Sequence, residues 1–244
     1  MAIESLQPEF GFYQIGRVHS AFPEKFGIPR QSNLIEGNIG WIELQAPWNR
    51  QEALQGLEGF SHIWVMFIFH EAIKPPEKWR PTVRPPRAGA KRQGVFATRS
   101  PYRPNPIGMS VLPYHGWEKR QGKIMLKVSG LDLLDQTPVI DIKPYLPYAD
   151  SVANAQGGFA HSEPESSSLP VIFSESAQTV LEREQELYPN LETLICSTLR
   201  HDPRPVNFGS MEQRERFGLK LYHFDIQWQL SETSFTVLSI DERG

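Results

Sequence analysis

The hydrophobic pattern of this 244-residue chain changes period part-way along. Up to about residue 150, apolar residues alternate with polar ones in short runs. After about residue 174 they recur at helical spacing. Such a change separates a strand-rich part from a mixed one. In the first part, Tyr13 to Val18 reads as a strand, and Ile42-Glu43-Leu44-Gln45 alternates as a half-buried strand does. The run His62-Ile63-Trp64-Val65-Met66-Phe67-Ile68-Phe69 is β-branched and aromatic, which predicts a central strand buried on both faces. Gly94 to Thr98 is a further short candidate. Ile124, Leu126 and Val128 alternate with Lys123, Met125, Lys127 and Ser129, and Thr137 to Lys143 repeats the alternation. Twenty-one prolines, many of them clustered as at 75–76, 85–86 and 101–106, break the first part into short strands and shaped loops.

The expected fold is therefore mainly β: a closed antiparallel β-barrel as N-terminal domain over 1–150, and a small α+β C-terminal domain over 171–244. Residues 151–170 read as a linker, since NAQGGFAHSEPESSS is small, polar and aperiodic. Beyond it, Ala177, Val180, Leu181, Glu184 and Leu187 predict a helix capped by Ser174. Leu191, Leu194, Ile195, Thr198 and Leu199 predict a second helix, capped by Asn190 and ended before Pro203. Phe224 to Leu230 and Phe235 to Val237 predict a terminal hairpin.

No apolar run approaches the roughly 18 residues of a membrane span; the longest is Ile63 to Phe69. The first ten residues lack the basic start and apolar stretch of a secretory signal. The single Cys196 excludes an internal disulfide and any multi-cysteine metal site. A cytoplasmic protein without a membrane partner is expected. The net charge of −3 hides an asymmetry: residues 1–150 hold 18 basic and 14 acidic side chains, residues 151–244 only 7 against 14.

Much of that asymmetry sits between Lys74 and Arg103, where nine basic residues face a single acid, Glu77. Five prolines between 75 and 86 keep the stretch extended, and Trp79 and Tyr102 supply aromatic faces. A stiff, basic, aromatic loop suits a phosphate backbone with an unstacked base, as in single-stranded RNA. The same charges also suit a merely solvated loop. Next, Thr98 to Met109 holds three prolines and Gly108, a rigid loop of the kind that shapes a site. Finally, Leu131 to Pro147 holds Asp132, Asp135 and Asp141, with Lys143 on the same strand face as Asp141. That pair reads either as a solvent-side ion pair or as an acid/base pair in a pocket.

Four of these segments resemble a known family. The Pro29-Arg30-Gln31 run, FSHIWVMFIFH (60–70), GVFATRSPYRPNPIGMS (94–110) and LDLLDQTPVIDIKPYLP (131–147) are similar to the TsaA-like, or TrmO, family. The order of helix, DPRP turn (202–205) and hairpin is similar to its two-domain bacterial members. The resemblance implies an S-adenosylmethionine-dependent methyltransferase acting on N6 of threonylcarbamoyladenosine at position 37 of tRNA, in the anticodon loop. It further implies a homodimer and a compact β-barrel in place of a doubly wound sheet; no DNA partner and no metal are expected. Carried over by motif, the S-adenosylmethionine contacts are Pro29, Arg30 and Gln31; His70 and Glu71; Arg99 and Met109; and Leu133, Leu134, Asp135 and Gln136. The family form has glycine before Thr-Pro, where this chain has Gln136.

The chemistry asks for an in-line approach to a methyl sulfonium and a group that takes one proton. Arg30 or Arg99 suits the cofactor carboxylate, and Asp135 its ribose or ammonium. Asp141 is the expected base, with Lys143 and Tyr145 orienting the substrate. Two other readings stand beside this one. A non-catalytic RNA-binding barrel would use the same basic loop. A metal-dependent hydrolase would use His62, His70, Asp135 and Asp141, though no paired-ligand spacing supports it. His62 reads as a core histidine, Cys196 as a small packed residue.

Overall fold

The computed structural model describes residues 10–85, 88–89, 91–204 and 216–243. Arg87 and Pro86 of the basic loop, Pro205 of the DPRP turn and Arg214 lie outside the described residues.

The fold is mainly β. Six strands form the first sheet: β1 (Gly16–His19), β2 (Ile39–Leu44), β3 (His62–Ile68), β6 (Ile107–Arg120), β7 (Lys123–Ser129) and β8 (Pro138–Pro144). Between β3 and β6 a small ribbon pairs β4 (Thr82–Val83) with β5 (Gln93–Gly94). All six pair antiparallel in the order β1-β2-β7-β6-β3-β8, and β8 returns to β1 through Gly16 opposite Val139 and Arg17 opposite Pro138. No strand of this sheet is left without two neighbours. Inside, Val18, Ile42, Ile63, Val65, Leu112, Leu126, Val128 and Val139 are fully buried. Each contributes roughly 1.5–3 kcal/mol by leaving water.

β3 corrects one expectation. Its side chains alternate, with Ile63, Val65 and Phe67 buried and Trp64, Met66 and Ile68 only half-buried. The strand is central, between β6 and β8, but one face looks outward. Its apolar run reflects a partly covered outer face. The β6–β7 hairpin turns at Gln121-Gly122, both at positive φ (49° and 82°), as a tight hairpin turn requires. Gly94 to Thr98 is not one strand: after Gly94 the chain makes a single 3-10 turn, Val95–Ala97.

The second sheet has the order β10-β11-β12-β9, with β10 (Phe217–Leu221), β11 (Phe224–Leu230), β12 (Phe235–Glu242) and β9 (Val171–Phe173), the last parallel to β12. A short helix α1 (Pro147–Asp150) closes the first part. Helices α2 (Glu175–Glu184) and α3 (Leu191–Arg200) pack on the second sheet. The Ala177 N–H donates to Ser174 Oγ at 3.2 Å, so Ser174 caps α2 as expected. Asn190 precedes α3, but its side chain makes no capping bond; only its carbonyl accepts, from Leu194 N–H. The predicted hairpin β11–β12 is present, closed by Ser231 N–H donating to Ser234 O.

The core of the second sheet is completed from the first half of the chain. Ala21, Phe22 and Ile35, on the loop between β1 and β2, are buried among Leu194, Leu219, Phe224 and Trp228. Polar contacts hold the same loop: Tyr222 N–H donates to Ala21 O, Lys220 pairs with Glu24 at 2.8 Å, and Glu36 N–H donates to Ser197 Oγ. A loop anchored at so many points is rigid, and it carries Pro29, Arg30 and Gln31.

Candidate active site

Four chain segments meet at one end of the six-stranded sheet. The first is the β1–β2 loop, pinned by Asn33. Its N–H donates to Gly130 O at 2.9 Å and its Nδ2 to Val111 O at 3.0 Å, which fixes Pro29 to Gln31 beside β6. The second is the loop 131–137. Asp135 N–H donates to Phe22 O, Ser20 N–H donates to Asp135 Oδ1 at 3.0 Å, and Gln136 N–H donates to Val18 O. Gln136 sits at φ 63°, the left-handed region that glycine occupies most freely. A glycine, which the resemblance leads one to expect here, would adopt this conformation without strain. Here the side chain compensates by donating to Asp135 Oδ2 at 3.1 Å and accepting from Arg17.

The third segment is the end of β3. Phe69 N–H donates to Pro106 O at 2.8 Å, and the chain then makes one turn, His70–Ala72. The fourth is the proline-rich loop before β6. Arg103 Nη1 donates to Thr98 O at 3.0 Å and to Ser100 O at 3.4 Å, which folds the loop on itself.

Together the four enclose a cleft of about 650 Å³, within the range of sites that hold nucleotide-sized ligands. Phe67, Phe69, Ile107, Leu133 and Leu134 make it largely apolar, Arg30, Arg99, Glu71 and Asp132 add charge, and His70 adds an imidazole. Nine of the motif-derived residues line it: Pro29, Arg30, Gln31, His70, Glu71, Arg99, Met109, Leu133 and Leu134. Two contacts tie segments together across it. Arg99 Nη1 donates to Gln31 Oε1 at 2.6 Å, and Lys25 pairs with Glu71 at 3.1 Å.

The remaining expected residues lie elsewhere. Asp135 and Gln136 brace the 131–137 loop from behind through the bonds above, and neither lines the cleft. Asp141 lines a different cleft, with Trp48, Leu57 and Pro144, and its carboxylate pairs with Lys143 at 2.7 Å. Tyr145 packs against His62 and Trp64 on the outer side of β3. The reason is the direction of β8: it starts at the cleft and carries residues 141–145 away along Met66 to Ile63. Nearness in sequence to Asp135 therefore does not bring these residues to the cleft. The four residues of a hydrolase reading are likewise dispersed, and no described group of three His, Cys, Asp or Glu stands close enough to hold a metal ion.

Among the cleft residues not expected as site residues, one is ionisable and has a shifted pKa. Asp132 lines the apolar part of the cleft, and burial pushes its carboxyl up to about 6, against the opposing pull of the Ser110 hydroxyl, backbone N–H groups and the Arg99 charge. The signal was present: Asp132 stands between Leu131 and Leu133 in the Leu-Asp-Leu-Leu-Asp run, and both of these apolar neighbours go into the core.

Comparison with known proteins agrees with this geometry. The tRNA-methyltransferase O N-terminal domain profile matches residues 17–151, and the TrmO C-terminal domain profile matches residues 166–243. The chain belongs to the TrmO family. It is 41% identical over 235 residues to the tRNA (adenine(37)-N6)-methyltransferase of Escherichia coli K12, covering 96% of this chain and 99% of that one. It is 46% identical over 216 residues to RcsF of Pseudomonas aeruginosa, provisionally named an S-adenosylmethionine-dependent methyltransferase, covering 88% and 90% of the two chains. The crystal structure of TrmO from Pseudomonas aeruginosa superposes with a TM-score of 0.77 at 38% identity, over 96% of this chain and 99% of that one. Both TrmO profiles are thus met in order, one on the six-stranded sheet and one on the second.

Proposed function

We propose that this protein transfers a methyl group from S-adenosylmethionine to N6 of adenine 37 in tRNA, acting on the threonylcarbamoylated base in the anticodon loop. The observation that carries the reading is the meeting of four distant segments in one cleft, with a carboxyl of raised pKa inside it. The TrmO relatives named for this reaction, matched over nearly the whole chain, support it.

The residues fit the cofactor. The Phe69 ring and the apolar side chain of Leu134, backed by the buried Phe67 and Leu133, suit an adenine ring, and the Arg30 guanidinium, which pairs with no described carboxylate, suits a carboxylate. Pro29, Gln31, His70, Glu71, Arg99 and Met109 complete the contacts in this reading. S-adenosylmethionine supplies an electrophilic methyl group. What the chain must supply is orientation, exclusion of water and a place for the N6 proton. Asp132 takes that proton. With a pKa of about 6 it is ionised at neutral pH and more basic than an ordinary carboxylate. Asp141, Lys143 and Tyr145 have no part in this step.

The reading divides the chain as expected: a catalytic closed barrel over 1–150, a linker over 151–170 and an α+β unit over 171–244. Cyclic strand pairing in the first sheet supports the barrel. A cytoplasmic homodimer completes it; light scattering after gel filtration tests the dimer. The decisive experiment incubates the protein with S-adenosylmethionine and tRNA carrying threonylcarbamoyladenosine, then weighs the nucleosides. A gain of one methyl on that nucleoside is expected. Binding of RNA with no heat on titrating S-adenosylmethionine would leave a non-catalytic RNA-binding module instead.

A further inference from the structure

A second concavity of about 1110 Å³ opens beside the cleft and shares Arg30, Gln31, Arg99 and Tyr102 with it. Arg80, Arg84 and Arg92 add three more guanidiniums, and no described acidic residue lines it. Among the described residues none of Arg30, Arg80, Arg84 and Arg92 stands within ion-pair distance of a carboxylate. Five like charges in one groove repel one another and focus a positive potential there. A groove of this kind is matched by a polyanion.

Its aromatic content narrows the choice. Phe96 lines the groove and is 76% exposed. It is held out by the turn Val95–Ala97, whose Val95 is buried and whose N–H donates to Pro81 O at 2.9 Å. A large apolar ring kept in water on a fixed backbone offers a face for stacking. Tyr102, under Lys74 at 4.5 Å, stands at the junction with the cleft. Phe159, from the stretch between the two sheets, lines the same groove. A paired duplex hides its base faces, while an unpaired strand presents both base faces and phosphates.

We propose that this groove binds the single-stranded RNA flanking the target nucleotide, with phosphates on Arg80, Arg84 and Arg92 and a base stacked on Phe96. The proposal rests on the methyl-transfer reading for the identity of the target and extends it to the path of the strand. The strand enters past Phe159 and Phe96 and reaches the cleft at Arg99 and Tyr102.

The test uses the full chain and a fluorescently labelled tRNA anticodon stem–loop, with binding followed by anisotropy over a range of salt. The triple variant Arg80→Gln, Arg84→Gln, Arg92→Gln is expected to bind at least tenfold more weakly. Its slope of log affinity against log salt falls by about 2, near 0.7 per phosphate contact on a single strand. Phe96→Ala is expected to lose about fivefold or more with the salt slope unchanged, because stacking releases no counterions. Both should bind S-adenosylmethionine in calorimetry as the unaltered protein does, which shows that they are folded. RNA affinity within twofold of the unaltered protein in both variants overturns the proposal. Loss of RNA binding in the variants, together with no heat from S-adenosylmethionine in the unaltered protein, upholds the groove and removes the methyl-transfer reading.

Discussion

The Ser110 hydroxyl donates to Asp132 Oδ1 at 2.7 Å, joining β6 to the loop that follows β7. It also sets the ionisation of the carboxyl. Burial raises the Asp132 pKa, the Ser110 bond pulls it back, and the balance lies at about 6. A carboxylate has about four acceptor sites, so beyond the Ser110 hydroxyl and the backbone N–H groups of Asp132 and Ser32 it keeps acceptor capacity. That capacity faces the cleft shared by Arg99, Leu133 and Met109.

Asp132→Asn keeps the shape and the Ser110 bond but removes the base. Methyl transfer under single-turnover conditions is expected to fall about 100-fold or more, the usual contribution of a positioned base. Calorimetric affinity for S-adenosylmethionine should change little. In the unaltered protein the rate should fall as pH drops through about 6, the Asp132 pKa, and the variant should lose that limb. Ser110→Ala removes a bond that lowers the pKa, so the limb should move to higher pH.

The same carboxyl makes stability depend on pH, with a definite sign. Its pKa is raised from 3.8 in the reference state to about 6 in the fold, so the folded chain holds the proton more tightly. Its contribution is most favourable below about pH 4 and is lost between about 4 and 6 as the folded group ionises, by up to about 3 kcal/mol. Asp132→Asn does not ionise. Its melting temperature is expected to exceed that of the unaltered protein at pH 7 and to converge with it near pH 4. Equal differences at both values would show that burial of Asp132 carries no such penalty.

How far the sequence reached depends on what kind of signal each element gave. Strands whose alternation sets apolar against charged residues, such as β7, were legible, as were the Ser174-capped helix and the terminal hairpin. The family motifs led to nine of the cleft residues because backbone bonds such as Asn33 to Gly130 pull those loops together. What was missed is tertiary. The outer face of β3 is apolar without being buried, and β9 has three residues and pairs in parallel with a strand more than sixty positions on. Ala21, Phe22 and Ile35 gave no hint that they complete the core of the second sheet. The placement of Asp141 outside the cleft has a similar root: the direction of β8 carries it away from the end of the sheet where Asp132 lies.

Asp141→Asn tests that separation. The Asp141–Lys143 pair at 2.7 Å is exposed, with about half of each side chain in water, and exposed pairs contribute little. Turnover is expected within twofold of the unaltered protein, with S-adenosylmethionine affinity unchanged. A loss comparable to that of Asp132→Asn would return Asp141 to the chemistry.

The floor of the cleft depends on Gly108. It stands opposite Phe67 across the β3–β6 pair, and a Cβ there would enter the Phe67 ring and lie 2.9 Å from Phe69 Cζ. The two rings meet edge-to-face with centroids 5.0 Å apart, so neither can retreat without disturbing the other. Phe67 is buried in the core of the first sheet, while Phe69 forms cleft wall. Gly108→Ala is therefore expected to push Phe69 into the cleft, the softer direction. Overpacking of this kind costs about 1–3 kcal/mol, measurable by urea unfolding. Affinity for S-adenosylmethionine should fall about tenfold, while RNA affinity, set by the neighbouring groove, stays within twofold. If both affinities hold, the Phe67–Phe69 pair has room to adapt and does not shape the cofactor site.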